Sequence, residues 1–212
     1  MIKTKKELKF YIWADRIMSG LPLRSTIKER LSYLVSGGDK IIRFQLYMRN
    51  LSYYKNLPKR NAYQNFRYWY YKVRYVKISI KLGFSIGPDV FGYGLYIPHY
   101  GTIVINNDAR VGNFAVVHTC TNIAGGKRIG NGLYLSTGSQ LVGDIVIGDN
   151  VTVASNSLVN KSYGNNLLIG GVPAKVLKEE YLEWYIRDGK EFFDRVNYVN
   201  KLKVEMGIEV TE

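Results

Sequence analysis

The chain has 212 residues, of which 46% are hydrophobic, and it carries a formal net charge of +13 at pH 7. This length and apolar content support one or two domains with a sizeable buried core and exclude a disordered protein. No stretch reaches the roughly 18 consecutive apolar residues of a membrane-spanning helix, and the single cysteine, Cys120, fits a reducing compartment.

All of the excess positive charge lies in the first 84 residues. They contain 19 Lys and Arg against 4 Asp and Glu, whereas residues 85–212 contain 11 against 13. Turn-forming stretches at residues 19–22, 36–39 and 56–59 divide this segment into three or four predicted helices. The start of the chain lacks the apolar middle of a signal peptide, so we expect a cytoplasmic protein.

The last predicted helix of this segment, over residues 63–80, is crowded with aromatic and basic residues, and its β-prone composition also allows a partly extended form. We favour an interpretation in which the tyrosines form the helical core and trimer contacts while the cations face water. The alternative is contact with an acidic glycan or with anionic lipid headgroups, which would place the protein peripherally at the inner face of the membrane. Nucleic acid is not expected as a partner, although basic and aromatic residues together can bind it.

Beyond residue 85 the chain has a six-residue repeat. Ten aliphatic residues occupy successive sixth positions: Ile105, Val111, Val117, Ile123, Ile129, Leu135, Leu141, Ile147, Val153 and Val159. This period fits neither a helix nor an ordinary strand and predicts a parallel β-solenoid. Three hexads would form one triangular coil of 18 residues, and stacking of the coils would bury one continuous apolar column.

The repeat extends upstream with a slip of two residues. Phe91, Ile97 and Ile103 are six apart, after which Ile105 takes over the phase. Adding the slip to a full coil places the hexad of Val117 above that of Ile97. The only two histidines of the chain, His99 and His118, are therefore predicted to lie near one corner, one coil apart.

The tail, residues 179–212, is predicted to be helical. Phe192, Phe193, Val196, Val199 and Leu202 recur at a spacing of three to four residues. We expect this apolar face to pack on the solenoid or on a neighbouring subunit.

Three features in a fixed order, "GLYIPHYGTIVIN" at residues 94–106, the hexads, and "IGGVPAKVLK" at residues 169–178, resemble the hexapeptide-repeat acyltransferases. The similarity is greatest to the branch that resembles serine O-acetyltransferase and is often associated with bacterial surface polysaccharides. It implies a left-handed parallel β-helix over residues 85–178. With the predicted N-terminal α-helical domain (1–84) and C-terminal helical tail (179–212), the expected fold is mainly β. The resemblance also implies a homotrimer with active sites between subunits and acetyl-CoA as the acyl donor.

In that family the histidine of the "HYGTIVI"-like segment is the general base, which assigns the role to His99. A neutral imidazole suits this role at physiological pH. For His118 two interpretations stay open: contact with the acceptor or the oxyanion, or a packing role only. Serine acetyltransferases pair their histidine with an aspartate about fifteen residues upstream, but residues 83–87 here contain no acid, and Asp89 is the nearest candidate.

The resemblance also implies donor-binding residues along the later coils. The matching positions are Thr137, Ser155, Asn160, Lys161, Lys175 and Lys178. Lysines at such positions can pair with the phosphates of coenzyme A.

We therefore predict an acetyl-CoA-dependent O-acetyltransferase. The favoured acceptor is a sugar hydroxyl in bacterial surface polysaccharide synthesis, because the basic N-terminal segment would attract anionic glycans, with Tyr96 and Tyr100 near the acceptor. The alternative acceptor is L-serine, in cysteine biosynthesis. A zinc hydratase on the same solenoid would need Cys120 as a third ligand beside the two histidines, so no metal is expected.

Overall fold

The computed structural model of the protein describes residues 1–24, 26, 27, 31 and 39–208. Three long helices occupy the N-terminal part of the described chain: α1 (Lys5–Met18), α2 (Lys40–Lys55) and α3 (Ala62–Leu82). Two of the predicted breaks, at residues 19–22 and 56–59, fall between helices. Part of the third break, residues 36–38, lies outside the described residues.

Local sequence sets the ends of α3. Asn61 and Gln64 form a capping box at its start, in which each side chain accepts a hydrogen bond from the other residue's backbone N–H. Gly83 ends the helix in the left-handed conformation, with φ of 76°. The helix is continuous over 21 residues, so the partly extended form does not occur.

Thirteen short strands follow within the described residues and form three sheets. Sheet A contains β1 (Phe84–Ser85), β2 (Ile103–Ile105), β5 (Thr121–Ile123), β8 (Gln140–Leu141) and β11 (Leu158–Val159). Sheet B contains β3 (Arg110–Val111), β6 (Arg128–Ile129) and β9 (Val146–Ile147). Sheet C contains β4 (Val116–Val117), β7 (Tyr134–Leu135), β10 (Thr152–Val153), β12 (Leu168–Gly171) and β13 (Ala174–Lys178). From β2 to β12, successive strands along the chain belong to different sheets, and neighbours within each sheet are parallel except β12 and β13. The chain therefore winds through the three faces once per coil.

This architecture is the predicted left-handed parallel β-helix, with about five turns. All ten residues of the six-residue repeat are buried in one apolar column, and none is more than 6% exposed. Six-residue periodicity thus identified the inward-facing positions correctly.

The predicted slip between the first coils is also present. Tyr96 pairs with Val116 and Phe91 with Val111, each offset by 20 residues, whereas Thr121 follows Ile103 by 18. The additional residues are accommodated in the irregular segment 98–102, which contains His99.

The C-terminal part closes one end of the solenoid and returns to its side. After the antiparallel hairpin of β12 and β13 come the short helix α4 (Trp184–Arg187) and the longer α5 (Lys190–Glu205). Val196, Val199 and Leu202 are buried in a cluster with α1, and Phe192 packs against Tyr96 of the solenoid. The tail thus contacts both the solenoid and α1; Phe193 remains 41% exposed.

A buried ion pair fastens the helices to the first coil. Arg49 of α2 donates to both carboxylate oxygens of Asp15 of α1, at 2.7 and 3.1 Å, and to the carbonyl oxygens of Phe91 and Gly92. Asp15 in turn accepts from the backbone N–H of Leu95, at 2.9 Å. This network fixes the segment 91–95, which leads to His99. Among the described residues, none of the helices combines the length and apolar character needed to cross a bilayer.

Candidate active site

The candidate site is the corner between sheets C and A, which we call the histidine corner and define by His99, His118, Thr137 and Ser155. Backbone hydrogen bonds stack the corner from coil to coil, from Gly138 N–H to the Thr119 carbonyl and from Asn156 N–H to the Thr137 carbonyl, at 3.1 and 2.9 Å. The residues of this corner therefore lie one coil above another along the solenoid, beginning with the two histidines.

The two histidines lie together, as the slip in the repeat predicted. Their ring centroids are 6.3 Å apart and the rings are inclined at 51°. Since a hydrogen bond spans about 2.7–3.2 Å between heavy atoms, this separation is too long for a direct bond between the rings but leaves room for one hydroxyl oxygen between them. His99 is exposed and His118 is partly buried, so a small acceptor would reach His99 from solvent.

Glycine is required beside His99. Gly101 has φ of 141°, a conformation that side chains rarely adopt, and a Cβ atom there would lie 3.0 Å from Cγ2 of Thr119. Its N–H donates to the carbonyl oxygen of Leu82, at the end of α3, at 3.0 Å. The irregular segment around His99 is thus fixed by the start of the solenoid below and by the next coil above.

His118 has a defined polar partner. Its Nε2 lies 2.9 Å from the hydroxyl of Tyr134, one coil further along sheet C. Burial lowers the pKa of His118, and the neighbouring His99 lowers it further, whereas Asp188 acts in the opposite direction. On balance these causes favour the neutral form of the His118 imidazole.

The C-terminal tail supplies the next group of this network. The guanidinium of Arg187 lies over the ring of Tyr134, 4.8 Å from its centroid, and donates to Oγ1 of Thr152 and to the carboxylate of Asp188. No sequence pattern marked Tyr134 or Arg187 as site residues. Tyr134 precedes a core hexad position, and Arg187 reaches the site only because the tail folds back onto sheet C.

The upstream acid of the serine acetyltransferases has no counterpart in the segment 83–87. In the segment 83–87, Phe84 and Ser85 form β1, paired with Ile103 and Val104. Asp89, the candidate considered above, is engaged elsewhere, because it accepts hydrogen bonds from Ser52, Lys55 and Asn56 at 2.6–2.9 Å. Burial would raise the pKa of Asp89, but these hydrogen bonds outweigh it and lower the pKa below its usual value.

The predicted donor-binding residues divide into two groups. Thr137 and Ser155 are exposed in the histidine corner, and Lys175 pairs with Gly170 beside it. Asn160 and Lys161 lie at the next corner, between sheets A and B, and Lys178 pairs with Leu168 on the opposite side of sheet C. Within one chain only the first group lies in line with the histidines.

The predicted acceptor-side tyrosines are placed differently from each other. Tyr100 is 76% exposed beside His99, whereas the ring of Tyr96 lies 5.6 Å from that of Phe192 in the tail. Cys120 is exposed next to the corner, and among residues 1–24 and 39–208 no group of three or more His, Cys, Asp or Glu is arranged to bind a metal ion.

Comparison with known proteins gives consistent relatives. No family model matches the chain. It is 28% identical over 104 residues to the serine acetyltransferase of Synechococcus elongatus, covering 45% of this chain and 43% of the relative. It is 26% identical over 136 residues to the serine acetyltransferase of Staphylococcus epidermidis, covering 60% of this chain and 64% of the relative. The chain thus spans about half to two thirds of the length of these relatives.

Solved structures with the same fold carry the same name. The serine acetyltransferase of Brucella abortus superimposes with a TM-score of 0.57 and 20% identity, covering 81% of this chain and 68% of that one. The serine acetyltransferase of Neisseria gonorrhoeae gives a TM-score of 0.56 and 20% identity, covering 85% of this chain and 68% of that one. A structure of the Brucella protein in complex with coenzyme A aligns with a TM-score of 0.55.

The repeat, the fold and the relatives all indicate similarity to the hexapeptide-repeat acyltransferases. Within that family its relatives are serine acetyltransferases. The prediction of a sugar hydroxyl as acceptor, in polysaccharide synthesis, is therefore wrong. It depended on the basic N-terminal segment, and an excess of positive charge attracts anions in general without identifying the acceptor of a reaction.

Proposed function

We propose that this protein is an acetyl-CoA-dependent serine O-acetyltransferase. The observation that carries the proposal is the pair of histidines in one corner of a solenoid whose relatives are serine acetyltransferases. L-Serine as the acceptor is part of this proposal, because the chain matches only part of the length of these relatives. Cytoplasmic location and a homotrimer with sites between subunits form part of the same proposal.

His99 acts as the general base in this mechanism. Its neutral imidazole takes the proton of the serine hydroxyl as that oxygen attacks the carbonyl carbon of the acetyl thioester. The tetrahedral intermediate then collapses with cleavage of the carbon–sulfur bond. The imidazolium of His99 returns the proton to the departing sulfur, so free coenzyme A and O-acetylserine are formed and the histidine is restored.

His118 is the second contact of the acceptor or of the oxyanion. When the Tyr134 hydroxyl donates to Nε2, the ring proton of His118 lies on Nδ1, where it is available as a hydrogen-bond donor. Donors placed where negative charge develops are a major source of transition-state stabilisation. Tyr134 therefore serves as a positioning residue, and Arg187 orients Tyr134 through its ring contact.

The acyl donor is proposed to lie along the histidine corner. Its pantetheine arm would pass Thr137 and Ser155, and Lys175 is placed to meet its phosphates. Asn160, Lys161 and Lys178 lie outside this line in one chain. In the proposed trimer, these three residues would reach the donor from a neighbouring subunit.

The test is release of free coenzyme A from acetyl-CoA by the purified full chain, followed with a thiol-reactive dye. L-Serine should support turnover, whereas L-alanine, which differs only by the missing hydroxyl, should not. Glucose and N-acetylglucosamine serve as further acceptor controls. Turnover with a sugar and none with L-serine would contradict the proposal, as would failure to bind acetyl-CoA.

The variant His99→Ala should lower turnover with L-serine by about two or more orders of magnitude, because a general base contributes roughly 10²–10⁴ in rate. Its circular dichroism and its mass in solution should match those of the unmodified protein. Lys190→Gln, an exposed change in the tail, is the matched control and should leave turnover unchanged. Near-normal turnover by His99→Ala would remove His99 from the mechanism.

A further inference from the structure

One face of α3 exposes large apolar side chains to solvent. Phe66 is 67% exposed, Trp69 52% and Ile80 77%. Four further residues of the helix are also exposed: Tyr63, Tyr70, Val73 and Val76. On the other side of the helix, Tyr71 is buried and stacks on Tyr54 of α2. The helix therefore has separate inner and outer apolar faces.

The exposed residues form a stripe with basic edges. At 100° per residue, six of them fall within an arc of roughly 120° of the helix; they are Phe66, Trp69, Tyr70, Val73, Val76 and Ile80. Lys77 lies within this arc, Lys72 borders one side of it, and Arg74 and Lys81 border the other. Helix α3 carries five basic residues and no acidic one. We call this surface the aromatic–basic face.

A basic groove adjoins this face. It lies between α2 and α3, has a volume of about 290 Å³, and is lined by Lys40, Arg43, Tyr47, Arg74, Lys77, Ile78 and Lys81. Arg74 and Lys77 also line the shallow apolar depression formed by Phe66, Trp69, Tyr70 and Val73. The same two cations therefore connect an apolar surface to a groove that has no acidic lining residue.

We propose that the aromatic–basic face docks on a bilayer surface that contains anionic phospholipid. Tryptophan and tyrosine side chains favour the level of the headgroups, where the ring is apolar and the polar edge stays hydrated. Long basic side chains extend from an apolar stripe to the phosphates, and each adds attraction to an anionic leaflet. Lys72 and Arg74 already lie over the rings of Trp69 and Tyr70, at 4.6 and 5.4 Å from their centroids.

Charge favours this occupant over a second copy of the chain. Pairing of two aromatic–basic faces would bring together two helices that each carry five basic residues and no acidic one, which is unfavourable. Anionic headgroups neutralise these charges instead. The proposal concerns a surface outside the histidine corner and does not depend on the acceptor of the reaction.

The test is co-sedimentation of the full chain with vesicles of phosphatidylcholine alone and of phosphatidylcholine with phosphatidylglycerol. Binding to the anionic vesicles is expected, with weaker binding at high salt, because the Debye length shortens from about 10 Å at 0.1 M to about 3 Å at 1 M. No binding to anionic vesicles, or equal binding to both compositions, would overturn the proposal.

Two variants locate the surface. The triple change Arg74→Gln/Lys77→Gln/Lys81→Gln should weaken binding by about 100-fold, since each cation near an anionic surface contributes roughly a factor of five. The matched control removes three exposed cations elsewhere, Arg128→Gln/Lys190→Gln/Lys201→Gln, and should change binding far less. Equal loss in the two triple variants would show attraction by net charge alone and would overturn the proposal.

The apolar half of the face is tested by Phe66→Ser/Trp69→Ser, which should weaken vesicle binding while coenzyme A release with L-serine stays unchanged. Two further outcomes would each overturn the proposal. One is that this variant binds vesicles as well as the unmodified chain does, while the unmodified chain binds duplex DNA as tightly as it binds anionic vesicles. The other is a drop in the solution mass of the protein, which would show that the face joins copies of the chain.

Discussion

Replacement of Arg49 by methionine tests the joint between the helices and the solenoid. Arg49 is 1% exposed and makes four hydrogen bonds, two to Asp15 and one each to the carbonyl oxygens of Phe91 and Gly92. The substitution leaves the buried carboxylate of Asp15 with no cation, and removing one partner of a buried pair costs about 3–5 kcal/mol. That is a large share of the roughly 5–15 kcal/mol by which domains are stable.

The loss of folding stability in Arg49→Met should depend on pH. Burial already raises the pKa of Asp15 although Arg49 opposes the shift, and loss of Arg49 should raise it further above the unfolded value of about 3.9. A raised folded pKa stabilises the protein at low pH, and this contribution disappears as the pH rises through the folded pKa. The deficit of Arg49→Met relative to the unmodified protein should therefore be smaller at pH 5 than at pH 8.

Urea denaturation followed by circular dichroism measures both effects. With m-values of about 1–3 kcal/mol/M, the expected loss lowers the midpoint by about 2 M. In Asp15→Asn/Arg49→Met the buried carboxylate is absent, so the pH dependence of the deficit should disappear. A loss below about 1 kcal/mol, or the same loss at both pH values, would refute the reasoning.

Three further results are expected. Tyr134→Phe should lower kcat by roughly fivefold, the effect of one lost hydrogen bond of about 1 kcal/mol, with little change in stability; an unchanged kcat would show that Tyr134 does not position His118. The NMR titration midpoint of His118 should lie below the ordinary value of 6.5 and should rise in His99→Ala, because the neighbouring charge is removed. Leu135→Ala, in the middle of the apolar column, should cost about 2–5 kcal/mol in urea denaturation.

The solenoid could be predicted from the sequence because its core has a period of its own. A six-residue repeat is incompatible with the other regular structures, and it fixes which side chain points inward in every hexad. The two-residue slip then placed His99 beside His118 by counting alone, and the ring distance of 6.3 Å agrees with that placement. Each of these inferences depends only on positions close in sequence or one coil apart.

The remaining parts of the site depend on contacts between distant segments. Arg187 reaches Tyr134 because Trp184 is buried beneath it, donating from Nε1 to the carbonyl oxygen of Phe114 at 2.9 Å. No periodicity connects residues 184–187 with sheet C, so the sequence pattern could not place them there. The acceptor was predicted wrongly for a related reason, because net charge describes a whole segment and not the candidate site.

The absence of a carboxylate at residues 83–87 bears on how the two histidines divide the reaction. A neighbouring carboxylate favours the imidazolium form, whereas a neighbouring imidazolium disfavours it. Once His99 has taken the proton of the acceptor, its positive charge disfavours a second imidazolium at His118. A neutral ring held by Tyr134 does not compete for the proton and remains a hydrogen-bond donor. We therefore assign proton transfer to His99 and the stabilisation of developing negative charge to His118.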